Sequence, residues 1–562
     1  MYKLKNLTLK SVLERSADRF PNRIALSWVD GHQNTYNEIK NKVQEVSLFL
    51  HDHGVIMGDR VAILAENSPN WGIAFLAITT MGAIAVPILP DFHENEIQHI
   101  LNHSACKAIF VSERLYGKLN IKKGNRLRIL IDDLSIIPPE TTKEILKQLV
   151  NDGTKEFAKL KESALRIAGI FSNDVQEDDI ASIIYTSGTT GHSKGVMLTH
   201  KNLVFNAVAT LRIQNIIETD RLISILPLSH SYECTIGFII PFMQGAAIYY
   251  LDKPPVARVL LPAMIKVKPT VMLTVPLIME KIFKTKIQPT FTKSFLLRGL
   301  YRIPMFRKLF HKIAGKKLYR SFGGKLRFYG IGGALLAPDT ERFLRDAKFP
   351  YSIGYGLTET SPLIAGSSPD LTRFRSTGLV LPDLKVKILN PDPETGEGEI
   401  VVKGDSVMKG YYKDPERTRE VFTDDGWFRT GDLGIHRKNN YLYIKGRLKN
   451  VIVGPSGENI YPEEIEAVIS ENDYVLESIV YEHDSRIVAR IHLNYELLDE
   501  VYNATKSSDY KMEKIVKNLL EEIKRTTNSR VSQFSRIFSV IEQIESFEKT
   551  PTKKIKRYLY TN

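Results

Sequence analysis

The chain has 562 residues, a net charge of +13, an apolar fraction of 43% and a charged fraction of 25%. That composition describes a soluble globular protein long enough for at least two domains, and it excludes fibrous and disordered classes. Its two cysteines, Cys106 and Cys234, lie far apart without ligand spacing, which excludes a disulfide framework or a zinc site and fits a reduced, cytoplasmic setting.

The first fifty residues read as helical, with 9–18 amphipathic, and Ala25-Leu-Ser-Trp28 reads as a short strand. The N-terminal ten residues alternate charge with apolar side chains and hold no apolar core of a secretory signal. Residues 71–90 carry no charge and are long enough to span a bilayer. However, the run contains Thr79, Thr80, Gly82 and two prolines, and it follows the strand-like Arg60-Val-Ala-Ile-Leu-Ala65. It is therefore read as a buried helix and strand of an α/β domain. Apolar strands at 61–64, 108–111, 129–131, 183–185 and 246–251 alternate with helical stretches, as such a domain requires.

The stretch Tyr185-Thr-Ser-Gly-Thr-Thr-Gly-His-Ser-Lys-Gly195 interrupts that alternation with three glycines, five Ser/Thr residues and a lysine. Glycines let the backbone approach an anion, hydroxyls donate hydrogen bonds, and Lys194 adds a mobile positive charge. The chemistry suits a polyphosphate, and the alternative is a flexible polar surface loop. The spacing is not that of a P-loop, because Gly195 rather than Ser or Thr follows Lys194.

From Lys281 to Arg327 there are fourteen Lys and Arg and no Asp or Glu, so the rest of the chain is close to neutral. Phe306, Leu309, Phe310 and Ile313 fall on one helical face, with Arg307, Lys308 and Lys312 off it. This basic amphipathic pattern is either a patch for an anionic membrane or acidic partner, or a solvated basic face whose apolar stripe packs on the core. Nothing else in the chain resembles a nucleic-acid module. Residues 326–334 continue the α/β pattern. Beyond about residue 375 strands dominate, with 383–389 and 399–403 paired around a turn, and the residues from about 450 read as a compact α+β unit.

Five blocks in order carry a resemblance. They are 185–195, Gly354-Tyr-Gly-Leu-Thr-Glu-Thr360, Gly426-Trp-Phe-Arg-Thr-Gly-Asp-Leu-Gly434, Lys445-Gly-Arg-Leu-Lys449 with 457–466, and Lys549-Thr-Pro-Thr-Lys-Lys-Ile-Lys-Arg557. Together they resemble the adenylate-forming superfamily of acyl-CoA synthetases, luciferase-like enzymes and peptide-synthetase adenylation domains, and the last block resembles long-chain acyl-CoA synthetases most. The resemblance implies an α/β fold. Residues 1–448 would form a large N-terminal domain of two β-sheets flanked by helices plus a small β-barrel. Residues 449–562 would form a small mobile α+β domain, with Lys449 at the hinge.

It also implies roles. Thr186, Ser187, Gly188, Thr189, Thr190, Gly191 and Lys194 would hold the phosphates of ATP, and Gly333, Ala334, Tyr355 and Gly356 the adenine. Asp432 would accept from the ribose hydroxyls, with Arg447 beside it. Glu359, with Thr186, would bind Mg2+, and Thr358 would touch the α-phosphate. His230, within Leu226-Pro-Leu-Ser-His-Ser-Tyr-Glu233, would lie near the acyl carboxylate. Lys554 would bridge that carboxylate and the α-phosphate, although Lys553 stands where the family usually has glycine. The charge-free stretch 235–251 is read either as the wall of an acyl tunnel or as core. The implied function is a cytoplasmic long-chain fatty acid–CoA ligase, peripheral at the inner membrane face, with acyl carrier protein as the alternative acceptor to CoA. A non-catalytic nucleotide-binding scaffold is the rival from another class.

Overall fold

The computed structural model describes residues 4–120, 126–138, 141, 145–146, 174–186, 193–292, 295–454, 459–502, 509–550 and 554–561. Two mainly parallel seven-stranded sheets build the larger part. One runs, edge to edge, Tyr351–Ile353, Phe328–Ile331, Val271–Thr274, Arg221–Ile223, Ala247–Tyr250, Ile24–Trp28 and Gln33–Thr35. The other runs Gly410–Tyr411, Lys194–Thr199, Ile180–Thr186, Ile84–Pro87, Arg60–Leu64, Ala108–Val111 and Leu127–Leu130. Successive side chains of a strand point to opposite faces. Val61 and Ile63 therefore join the core between the two sheets, while Ala62 and Leu64 join the core on the outer side.

The charge-free run forms the helix Pro69–Thr80 and the strand Ile84–Pro87, as expected. Ser68 caps the helix by accepting from Trp71 N, and every helix residue but Asn70 is buried. Its apolarity all round follows from its position between two sheets. Gly72 is needed there, because a Cβ would come within 2.9 Å of the Phe238 ring and 3.0 Å of Leu26. Among the described residues, no helix is long and apolar enough to cross a membrane.

A third, wholly antiparallel sheet of seven strands spans residues 355–447 and supplies the expected small β unit. The expected pairing of 383–389 with 399–403 is present as Lys385–Leu389 against Gly398–Lys403.

The residues after 451 have cores of their own. The helices Pro462–Ile469 and Asp509–Asn528 cover one face of a three-stranded sheet formed by Val475–His483, Arg486–Leu493 and Ser539–Glu542. The C-terminal tail covers the other face through Phe547, Ile555 and Tyr560.

The apolar stripe of the basic segment divides: Phe310 packs on the core against the Phe291 ring, whereas Leu309 and Ile313 do not pack on it. In the helix Pro304–Ser321 the inward residues are His311, Gly315 and Leu318, and Leu309 and Ile313 face outward. Gly315 decides the orientation, because a Cβ there would lie 2.4 Å from that of Ala347. His311 anchors the same face: it is hydrogen-bonded to the Tyr301 hydroxyl and to Asp346, both at 2.9 Å.

The smaller unit is held to the larger one by a buried clasp. Lys284 Nζ donates to the Ser470 carbonyl at 2.7 Å and to the Val475 carbonyl at 2.8 Å. Gln288 donates to Asp473 beside them. Burial holds the Lys284 ammonium below its ordinary pKa, against the opposing pull of Asp339, Glu280 and Asp473. Hydrogen bonds from a charged donor are among the stronger ones, so two of them bias the docking of a whole unit. Lys284→Met is expected to weaken the docking of the smaller unit on the larger by about tenfold or more. The fold of each unit should be unimpaired, and hydrogen exchange at the docked face, beside thermal unfolding, checks the split.

Candidate active site

The strands that flank the glycine-rich stretch pair with each other. Strand Ile180–Thr186 pairs antiparallel with Lys194–Thr199, and Thr186 stands directly opposite Lys194. Ser187, Gly188, Thr189, Thr190 and Gly191 lie outside the described residues. The hairpin closes tightly at Gly195, where a Cβ would meet Ile183 at 2.8 Å and the Tyr185 ring at 3.1 Å. Thr186 keeps a buried hydroxyl with no partner among the described residues, so it is available to a bound group.

Lys194 points to Glu359. Its Nζ donates to Glu359 Oε1 at 2.9 Å and to the Tyr411 hydroxyl at 2.6 Å, and that hydroxyl donates to the same carboxylate oxygen at 3.0 Å. Glu359 is 6% exposed, and burial alone would raise its pKa. The Lys194 charge and hydrogen bond outweigh burial and hold it below the usual carboxylate value, so the group is ionised at neutral pH. The turn that carries Thr358 and Glu359 is fixed from behind by Asn206, whose amide donates to the Thr360 and Leu363 carbonyls at 3.0 and 2.8 Å. Gly356 allows that turn to fold back, since a Cβ would sit 1.9 Å from the Pro362 carbonyl oxygen. Thr358 is buried, with its hydroxyl accepting from Ser231 at 3.4 Å.

Asp432 and Arg447 are cross-strand partners in the antiparallel sheet, and Arg447 Nε lies 2.8 Å from Asp432 Oδ1. The Tyr355 hydroxyl donates to the other oxygen, Oδ2, at 2.7 Å. Burial raises the Asp432 pKa, with Arg447 and Tyr355 opposing it. Tyr355 thus has two surroundings, a ring partly packed on the core of the antiparallel sheet and a hydroxyl on the carboxylate. Gly333 (φ +96°) and Ala334 lie exposed just past the carboxyl end of strand Phe328–Ile331. Ligands of open α/β sheets bind at that end of the strands.

His230 lies in the loop after strand Arg221–Ile223, held from beneath by Asn67. The Asn67 amide donates to Ser224 Oγ at 2.8 Å and to the Leu226 carbonyl at 2.6 Å, and Leu228 N donates to Asn67 Oδ1 at 2.8 Å. Burial first, and the Lys554 charge second, push His230 down to about 4, so its ring is neutral at working pH. Its neighbour Glu233 is 2% exposed and is pushed up to about 8 by burial, and it accepts a hydrogen bond from Ser224 at 2.6 Å.

Lys554 reaches this cluster from the smaller unit. It sits beside an antiparallel bridge of Lys549 with Ile555, with Thr550 N donating to the Lys554 carbonyl at 2.7 Å and Lys554 N donating to Thr550 Oγ1 at 3.1 Å. Although the residue keeps contact with solvent, enclosure of the side chain and then the Arg447 charge lower its pKa, while Asp432 and Glu359 raise it. Lysine, two carboxylates, arginine and neutral histidine therefore converge from both units. The arrangement can neutralise a polyphosphate, accept from a diol at Asp432 and present a movable cation to a reacting anion.

Sequence reasoning missed Tyr411, Asn206 and Asn67. Tyr411 reaches the site because the two-residue strand Gly410–Tyr411 pairs with strand Lys194–Thr199, a long-range contact with no local signal. The stretch 235–251 packs as core: Phe238 lies edge-on to Trp71 and Phe75 and joins the cluster between the sheets. Lys449 lies in a single exposed turn, Leu448–Asn450, at the junction of the two units.

The family model of AMP-binding enzymes matches residues 13–412. Among curated relatives, a long-chain-fatty-acid–CoA ligase of Bacillus subtilis is 30% identical over 85% of this chain and 83% of its own. The Arabidopsis thaliana long-chain-fatty-acid–[acyl-carrier-protein] ligase AEE15 is 27% identical over 96% of this chain and 83% of its own. The 4-coumarate–CoA ligase 1 of the same plant is 28% identical over 94% and 87%. Among solved structures, ATP-bound MatB from Rhodopseudomonas palustris superposes with a TM-score of 0.72 at 24% identity, covering 99% of this chain and 98% of that one. That likeness shows the fold.

Proposed function

Because this chain belongs to the AMP-binding enzyme family, we propose that it is an ATP-dependent ligase that joins a long-chain fatty acid to the thiol of CoA in two steps. The observation that carries the reading is the arrival of Lys554, from the smaller unit, among Glu359, Asp432, Arg447 and His230 of the larger. In the first step a carboxylate oxygen bonds to the α-phosphorus of ATP, and the bond to pyrophosphate breaks. In the second, the CoA sulfur bonds to the acyl carbon and AMP leaves with the electron pair of the broken C–O bond.

In this reading Asp432 accepts from the ribose diol and Tyr355 lies against the purine, beside Gly333, Ala334 and Gly356. Lys194, with the hairpin residues, holds the phosphates. Thr358 stands at the α-phosphate, and neutral His230 lies beside the carboxylate without competing as a cation. Lys554 stabilises charge shared between carboxylate and α-phosphate. The unpartnered Thr186 hydroxyl and the ionised Glu359 are oxygen donors that fit Mg2+, which would neutralise phosphate charge when bound. Residues 1–448 and 449–562 act as two domains, and rotation about Lys449 withdraws Lys554 before the thiol enters.

Two comparisons support a fatty substrate, and one keeps acyl carrier protein as the alternative acceptor. AMP release across a ladder of acids from butyrate to oleate, with 4-coumarate alongside, tests the reading with CoA and separately with carrier protein. Palmitate with CoA is expected to give the highest kcat/KM. Turnover with carrier protein alone, or with 4-coumarate and not palmitate, would overturn it.

A further inference from the structure

The outward stripe on the basic helices has no role in the chemistry above. Between residues 253 and 327 the sequence carries eighteen Lys and Arg against one acid, Glu280, which is turned inward and accepts from Ala337 N at 2.8 Å. Three helices in this span, Ala257–Val267, Phe295–Arg302 and Pro304–Ser321, pack side by side. On the last of them, Met305, Leu309 and Ile313 recur every four residues and point to solvent, 70%, 50% and 62% exposed. Lys308, Lys312 and Lys316 run beside them, also exposed. Phe295, 92% exposed, extends the apolar surface on the second helix, and Leu261 and Ile265 on the first. The inner face is fixed by His311, Gly315 and the Phe291 ring stacked on Phe310, so the stripe cannot turn inward. Two acids beside these helices are engaged, Asp346 by His311 and Asp30 by Lys266.

We propose that these three helices dock the protein on an anionic lipid bilayer. Large aliphatic and aromatic side chains in a row suit the acyl boundary of a membrane. Lysines flanking that row bury their stems and keep their charges at the headgroups. Charge complementarity selects an anionic surface, and the length of the row suits a flat, deformable one better than a small folded partner. A docked enzyme would meet a bilayer-dissolved acid without that acid crossing water.

Cosedimentation with vesicles tests the surface. The full chain is expected to bind vesicles of phosphatidylcholine mixed with phosphatidylglycerol and to bind pure phosphatidylcholine weakly, with binding falling as salt rises. Leu309→Glu with Ile313→Glu, and separately Lys308→Glu with Lys312→Glu, should each weaken binding about tenfold or more. Turnover of a short, water-soluble acid should be unchanged in both, which shows that the variants fold. Equal binding to the two vesicle types, or binding indifferent to both pairs of substitutions, would overturn the proposal. So would a dimer in sedimentation equilibrium that Leu309→Glu with Ile313→Glu dissolves, because a second copy would then cover the stripe. A loss of saturation by carrier protein with vesicle binding intact would likewise assign the face to that protein. Vesicle binding needs no turnover, so its failure leaves the ligase reading standing, and the reverse holds.

Discussion

Lys554→Ala is expected to slow acyl-adenylate formation by about 10²–10³-fold while thioester formation from supplied acyl-adenylate stays within a few-fold. The size follows from the environment. The side chain keeps contact with solvent yet feels the charges of Arg447, Asp432 and Glu359, which act more strongly across a protein cleft than in open water, and Arg447 is a second cation there. An ammonium that tolerates such a neighbour is held for an incoming anion, and two anionic groups must meet in the first step. Since Lys554 comes from the smaller unit, its removal leaves the nucleotide contacts of the larger unit in place, so the KM for ATP should change little. Rapid-quench measurement of pyrophosphate release, beside thioester formation from synthetic acyl-adenylate, checks the split. Equal losses in both steps would mean a structural role.

Glu359→Gln is expected to lower adenylation by about 10²–10³-fold and to raise the Mg2+ concentration needed for half-maximal rate. Gln keeps the shape and can still accept from Lys194 and Tyr411, so the turn fixed by Asn206 should hold. What it loses is the charge that Lys194 stabilises below the usual carboxylate pKa. The wild-type carboxylate is depressed, so its ionised form persists as pH falls through the ordinary carboxylate range and is lost only below it. The part of the activity that depends on Glu359 should therefore survive mild acidification in the wild type. A Mg2+ titration of the ATP–pyrophosphate exchange rate measures the effect, and an unchanged Mg2+ requirement would remove Glu359 from the metal site.

Much of this site was legible because its residues sit in dense local motifs. Thr358 and Glu359 share one turn, Asp432 ends a Trp-Phe-Arg-Thr-Gly run, and Lys194 closes a glycine-rich hairpin. Element types were legible where one period dominated, as in the buried helix Pro69–Thr80. The rest depended on distance. Tyr411 meets Lys194 through a two-residue strand pairing across more than two hundred positions, and nothing nearby in sequence marks it. Asn67 and Asn206 look like any polar residue until their amides are seen bridging backbone groups of remote loops. The basic helix left two readings open for a different reason. Helical spacing marks an apolar face but not what covers it, and contacts remote in sequence, Gly315 with Ala347 and His311 with Asp346, decide which side turns inward.

The Lys284 contact has a consequence for timing. If the smaller unit rotates between half-reactions, each departure must rehydrate an ammonium ion and the carbonyls of Ser470 and Val475, and each return must strip that water away. The cycle would then contain a solvation event far from the reacting atoms. Its pace would answer to water activity as well as to substrate.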